Sequence, residues 1–128
     1  MEQYVGLDIS QAMTHLCVVD IKGKKLWQGK CPTTPEDIAE AIRTKAPAAA
    51  VIGMESGALA TWLFHSLKEM GLPIVCIDAR HANGALSMQI NKTDTNDAHG
   101  IAQIMRTAWF KEVTVKSLGS HRIRSLLV

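Results

Sequence analysis

Two apolar runs constrain this chain more than any other feature. Residues 48–54 (AAAVIGM) and 72–77 (LPIVCI) read as strands covered on both faces. Between them Leu59, Leu63 and Leu67 recur at turn spacing, in a helix expected to begin at Ser56 or Gly57. Gly71, with Pro73 just beyond, is the stop signal. A helix between two buried strands makes a βαβ unit, so those strands should be parallel and the crossover right-handed.

Upstream, residues 4–9 and 15–20 (HLCVVD) are short β-rich runs. Gly23 sits in a turn over 21–24, and residues 25–30 form the returning strand, so the opening reads as three antiparallel strands. Thr34 is a cap before Pro35, with Glu36 and Asp37 near the positive end of the dipole. Ile38, Ala41 and Ile42 give that helix its apolar stripe, and Pro47 closes it. Residues 78–90 fit either a helix or an irregular connection. Helical spacing returns over 93–107, where Ala98, Ile101, Ala102 and Met105 form an apolar face. A short last strand is expected over 111–116, and the first turns of a further helix over 121–128. The order βββαβαβ(α)α is an α/β mixed sheet, three antiparallel strands followed by parallel strands with helices on both faces. It is compatible with the RNase H-like fold, which by itself fixes no chemistry.

The chain has 128 residues, one domain's worth, with 47% hydrophobic and 20% charged residues. Its net charge of +2 is too mild to argue nucleic-acid binding alone. The distribution says more. Lys22, Lys24, Lys25 and Lys30 cluster near the start, and Arg106, Lys111, Lys116, Arg122 and Arg124 face the single acid Glu112 near the end. Either group can track phosphates or be a solvated surface. Cys17, Cys31 and Cys76 are odd in number and far apart, which argues against a disulfide framework or zinc site and for a reducing, cytoplasmic setting. Cys17 and Cys76 read as small core hydrophobes. No signal peptide and no membrane-spanning run is expected.

Four acids carry the chemical argument. Asp8 follows the apolar run Val5-Gly6-Leu7, at a strand end that projects into the crevice beyond the sheet edge. Gly6 lets backbone or ligand approach closely. Glu55 stands directly behind the buried run ending at Met54, where a carboxylate is costly unless paired or metal-bound. Asp94 and Asp97 share one helix face, with Cβ atoms roughly 5–6 Å apart, and a divalent cation would relieve their repulsion. Taken singly, Asp8 also reads as a strand-ending turn residue, and Asp94 and Asp97 as a helix cap and a third-position acid. Together they are what a two-metal site requires, with ions roughly 3.5–4 Å apart on a phosphodiester. Magnesium prefers such oxygen ligands.

The strings Tyr4-Val5-Gly6-Leu7-Asp8-Ile9-Ser10, Met54-Glu55-Ser56-Gly57 and Lys92-Thr93-Asp94-Thr95-Asn96-Asp97-Ala98 resemble, in order, the N-terminal DEDD domain of Piv/MooV-type transposases of the insertion sequence 110 family. The resemblance implies a RuvC-like fold and a DNA recombinase that uses Mg2+ or Mn2+, two ions in all. It implies that Asp8, Glu55, Asp94 and Asp97 are the catalytic and metal-binding acids. It extends to Lys92, Asn96 and Arg106 as residues that touch nucleic acid, to a structured guide RNA, and to a homo-oligomer in the full-length protein. It divides the chain into a catalytic domain over 1–116 and the start of a helical linker over 117–128. Family members continue into a second domain bearing a serine that attacks DNA. On that reading this chain is a fragment, and Ser117, Ser120 and Ser125 lie in the wrong region to be that nucleophile.

His81 and His99 lack metal-ligand spacing, and His99 is the better placed to support an acid. Trp27, Trp62 and Trp109 read as core or interface anchors, and the methionines as core filler. Two other functions compete. The Val5–Ser10 string also looks like the first phosphate loop of sugar-kinase and actin-like ATPases, although no second glycine-rich loop follows. A non-catalytic assembly fragment is the third reading.

Overall fold

The structure, a computed structural model, describes residues 2–57, 59–78, 94–107, 112 and 115, the side chains of 94–97 excepted. The elements run β1 (Gln3–Ile9), β2 (Met13–Asp20), β3 (Lys25–Pro32), α1 (Pro35–Lys45), β4 (Ala49–Glu55), α2 (Ala60–Glu69), β5 (Ile74–Ile77) and α3 (Asp94–Thr107). The sheet order is β3-β2-β1-β4-β5. β1 pairs antiparallel with β2, β2 antiparallel with β3, and β1–β4 and β4–β5 are parallel. The expected mixed α/β sheet is therefore the observed one.

Period-2 alternation sorts the side chains onto two faces. Val5, Leu7, Leu16, Val18, Ile52 and Met54 pack under α1 and α2 with Ile38, Ile42, Leu63 and Leu67. Tyr4, Cys17, Val19 and Val51 lie on the opposite face, with Ala98, Ile101, Ala102 and Met105 of α3. Helices thus cover both faces.

Local chemistry sets the boundaries. Thr34 caps α1 by accepting from the Asp37 amide at 3.2 Å, with Pro35 in the first turn. α2 starts at Ala60, later than Ser56 or Gly57, because the Ser56 amide donates to Ile77 O at 2.8 Å and so prolongs the sheet. β5 starts at Ile74 rather than at residue 72. The amides of Gly71 and Leu72 turn back onto Lys68 O and Leu67 O, a Schellman closure with Gly71 at φ 83. Leu72 is thereby committed to ending α2.

Trp62 departs from its expected role as an anchor: it is 44% exposed, because the buried stripe of α2 is Ala60, Leu63, Phe64 and Leu67. Trp27 is half-buried against the core with the Lys45 ammonium 5.5 Å from its ring. Cys17 and Cys76 are core residues. Of the strand expected over 111–116, Glu112 forms one antiparallel bridge to Ile77 and Val115 packs on the core. The expectations for 79–90 and 121–128, and for His81, Lys92 and Trp109, lie outside the described residues.

Candidate metal centre

Adjacent parallel strands bring two of the four acids together. Leu7 of β1 is in register with Met54 of β4, so the next residues, Asp8 and Glu55, stand side by side at the carboxyl ends. Paired strands lie about 4.8 Å apart. Leu7 and Met54 point into the core under α1 and α2, so alternation turns Asp8 and Glu55 to the α3 face. Both are half-buried and line one pocket of about 320 Å³ with Ile9, Ser10, Gln11 and Ser56.

The other two acids ride on α3, whose course follows from two glycines. A Cβ on Gly6 would lie 2.1 Å from Ala98 O and 2.5 Å from Ala102 N, so the helix backbone rests directly on β1. A Cβ on Gly53 would lie 2.5 Å from the Met105 sulfur. Farther along, Gln103 reaches Gly23, in the turn between β2 and β3 beside the start of β1. α3 therefore runs antiparallel to β1. Its first turn, with Asp94 and Asp97, comes to the edge where Asp8 and Glu55 end. The side chains of Asp94, Asn96 and Asp97 lie outside the described residues. Among the described residues, no three His, Cys, Asp or Glu side chains cluster as a metal site.

Arg106 lies elsewhere. It sits twelve positions after Asp94, about 18 Å along the helix axis, and its Nε donates to Gln103 Oε1 at 2.8 Å. His99 is half-buried and joins the same group, its Nε2 3.0 Å from Gln103 Nε2. Burial chiefly, with Lys25 adding to it, lowers the His99 pKa.

Two features near Asp8 carry no local signal in the sequence. His15 is the cross-strand neighbour of Asp8, on the same face, a placement visible only once the β1–β2 register is known. The loop after β1 is pinned from below. Thr33 donates to Ser10 O at 2.7 Å and its oxygen lies 2.8 Å from the Thr14 hydroxyl. Thr33 has one hydrogen, so Thr14 is the donor of that second bond.

The arrangement suits a hard divalent cation. Asp8 and Glu55, at two neighbouring strand ends, supply oxygen donors beside one pocket, and no cysteine or histidine is among its described lining residues.

Solved structures share the fold. Thermus thermophilus RuvC matches with a TM-score of 0.57 at 15% identity, over 87% of this chain and 99% of that one. T. thermophilus RuvC in complex with a Holliday junction substrate matches with a TM-score of 0.58 at 14% identity, over 88% and 100%. The large terminase nuclease of thermophilic phage G20c, with bound zinc, matches with a TM-score of 0.53 at 12% identity, over 82% and 59%. The sheet is thus RuvC-like and RNase H-like. No curated protein matches the chain. A family model described as a transposase, the DEDD type of insertion sequence 110, matches residues 5–127. Sequence motif, sheet order and family match converge: this chain belongs to the DEDD transposase family of insertion sequence 110.

Proposed function

We propose that Asp8, Glu55, Asp94 and Asp97 are the metal-binding and catalytic acids of this transposase domain, serving two Mg2+ or Mn2+ ions. The domain itself is a divalent-metal-dependent enzyme of the transposase/recombinase type that cleaves DNA. The observation that carries the residue assignment is the Leu7–Met54 register, which sets Asp8 beside Glu55. The approach of the α3 first turn to that edge supports adding Asp94 and Asp97. The four acids, in chain order, also spell the letters of the family name.

Bound ions would supply the positive charge needed by the phosphoryl and leaving oxygens during strand cleavage. The chain's own part is to present oxygens from rigid positions. Asp8 is fixed by its pairing with His15 of β2, one residue beyond the end of the β1–β4 ladder, and Glu55 by its pairing with Ile77 of β5. Ile9, Leu59 and Ala60 give the pocket apolar walls, and Thr33 holds the loop at Ser10.

The same reading takes residues 1–116 as the catalytic domain and 117–128 as the start of a linker. Lys92 and Asn96 would touch phosphates near the cut, and Arg106 would meet DNA only at the far end of α3. A branched DNA is the favoured substrate form, in keeping with the Holliday junction bound by the RuvC relative. A structured guide RNA, a homo-oligomer of the full-length protein and a cytoplasmic setting complete the proposal. No helix of the described residues is long and apolar enough to cross a membrane.

Titration with Mn2+ tests the assignment. Asp8→Ala and Glu55→Ala should each weaken binding by about tenfold or more, with far-UV circular dichroism unchanged. Wild-type affinity in both folded variants would remove the assignment.

A further inference from the structure

We infer that Gln103 is a positioning residue for the acids at the head of α3, and that the turn at Gly23 is the fixed point against which it sets them. This rests on the metal-site assignment above. The Gln103 carboxamide bonds through both its nitrogen and its oxygen. One amide hydrogen goes to Gly23 O at 2.8 Å and the other to His99 Nε2 at 3.0 Å, while Oε1 accepts from Arg106 Nε at 2.8 Å. Both amide hydrogens are thereby committed, so His99 Nε2 is an acceptor. The bond to Gly23 spans eighty positions of sequence and ties the second half of α3 to the β2–β3 turn.

The turn is shaped for this contact. Gly23 has φ +86, and a Cβ there would lie 2.9 Å from Gln103 Oε1 and 3.0 Å from Arg106 Nε. Asp20 holds the turn, its carboxylate accepting from the amides of Lys22 and Lys24 at 2.9 Å each. Backbone and side chain on both sides of the contact are thus already fixed.

Position on the helix gives the clamp its effect. α3 rests on Gly6 at Ala98 and Ala102, and that contact is a pivot. Gln103 lies on one side of it; on the other, Asp97 is about as far along the axis and Asp94 about twice as far. Displacement at the clamp therefore tips the first turn by a comparable amount. Metal–ligand distances tolerate only about 0.2 Å, so a small tilt is felt as lost affinity.

The test is Mn2+ affinity of the 128-residue chain, measured by calorimetry beside its melting temperature. Gln103→Leu removes the clamp. Gln103→Glu keeps the acceptor for Arg106 but loses the donors to Gly23 and His99, and it carries the test if the leucine variant does not fold. Both should bind Mn2+ about 3- to 10-fold more weakly, the scale on which packed elements transmit coupling. Ile42→Val, in α1 on the other face, lowers stability but should leave Mn2+ affinity at the wild-type value. Gly23→Ala should reproduce the loss from the turn side, and the double variant Gly23→Ala/Gln103→Leu should be no worse than the weaker single variant. Wild-type affinity in both Gln103 variants would overturn the clamp alone, as would additive losses in the double variant or an equal loss in Ile42→Val. A wild-type chain that binds no Mn2+ would overturn the site assignment and the clamp with it.

Discussion

Thr33 is a small residue with a large share in shaping the pocket. It is 7% exposed, accepts from Thr14, and donates to the carbonyl that begins the loop after Asp8 and Ile9. Thr33→Val would strip the partner from both Ser10 O and the buried Thr14 hydroxyl. Leaving such groups unpaired costs about 1–3 kcal/mol, so calorimetry should show a clear fall in melting temperature. Thr14→Val should cost less, because Thr33 keeps its bond to Ser10. Equal melting of Thr33→Val and wild type would mean that the loop is held by something else. Nothing in the sequence marks Thr33 for this task, since its partners lie nineteen and twenty-three positions away.

Among elements, α3 depends most on close approach. Gly6→Ala places a methyl group 2.1 Å from a helix carbonyl, which only a shift of the whole helix can relieve. The expected loss is above about 3 kcal/mol, at the severe end for single substitutions, and denaturant titration would measure it. Gly57→Ala is the contrast: a Cβ there meets nothing within 4 Å, so that variant should melt within a degree or two of wild type. Wild-type stability in Gly6→Ala would show that the helix does not rest on β1. Much at this scale was legible in the sequence. The cap at Thr34, the stop at Gly71 and the two buried strands are local signals, written in neighbouring residues. Three details were not. Leu72 closes a helix instead of opening a strand, Ser56 extends the sheet, and Trp62 faces solvent. Each depends on which distant atoms happen to come near. His15 opposite Asp8 is a matter of register, and register comes from the turn after β1 rather than from either strand.

For the whole molecule, two buried thiols predict an alkaline limit. Burial pushes the Cys17 and Cys76 thiols up to about 11, Lys25 opposing this at Cys17 and Glu112 adding to it at Cys76. The unfolded chain releases these protons near the ordinary value of 9.0. The folded chain holds them, so their contribution is complete below pH 9 and is lost as pH rises toward 11. Denaturant unfolding at pH 8 and pH 10.5 should show wild type losing more stability than Cys17→Ala/Cys76→Ala. Equal losses would mean that other groups set the limit. The candidate site was half legible at this scale. Asp8 and Glu55 stood out beside apolar runs and Asp94 and Asp97 by their helical spacing, but the proposed site also depends on β1 pairing with β4 and on the direction of α3, which no single segment encodes.

The central place of β1 also bears on how the protein is born. This strand is made before the rest of its sheet and soon finds β2 on one side, through a short connection. Its other edge stays bare until β4 has been made, with β3 and α1 synthesised in between. Until then Asp8 has no Glu55 beside it. The pocket therefore cannot form before β4 has been made, and a nascent chain short of that point carries only the parts of a site.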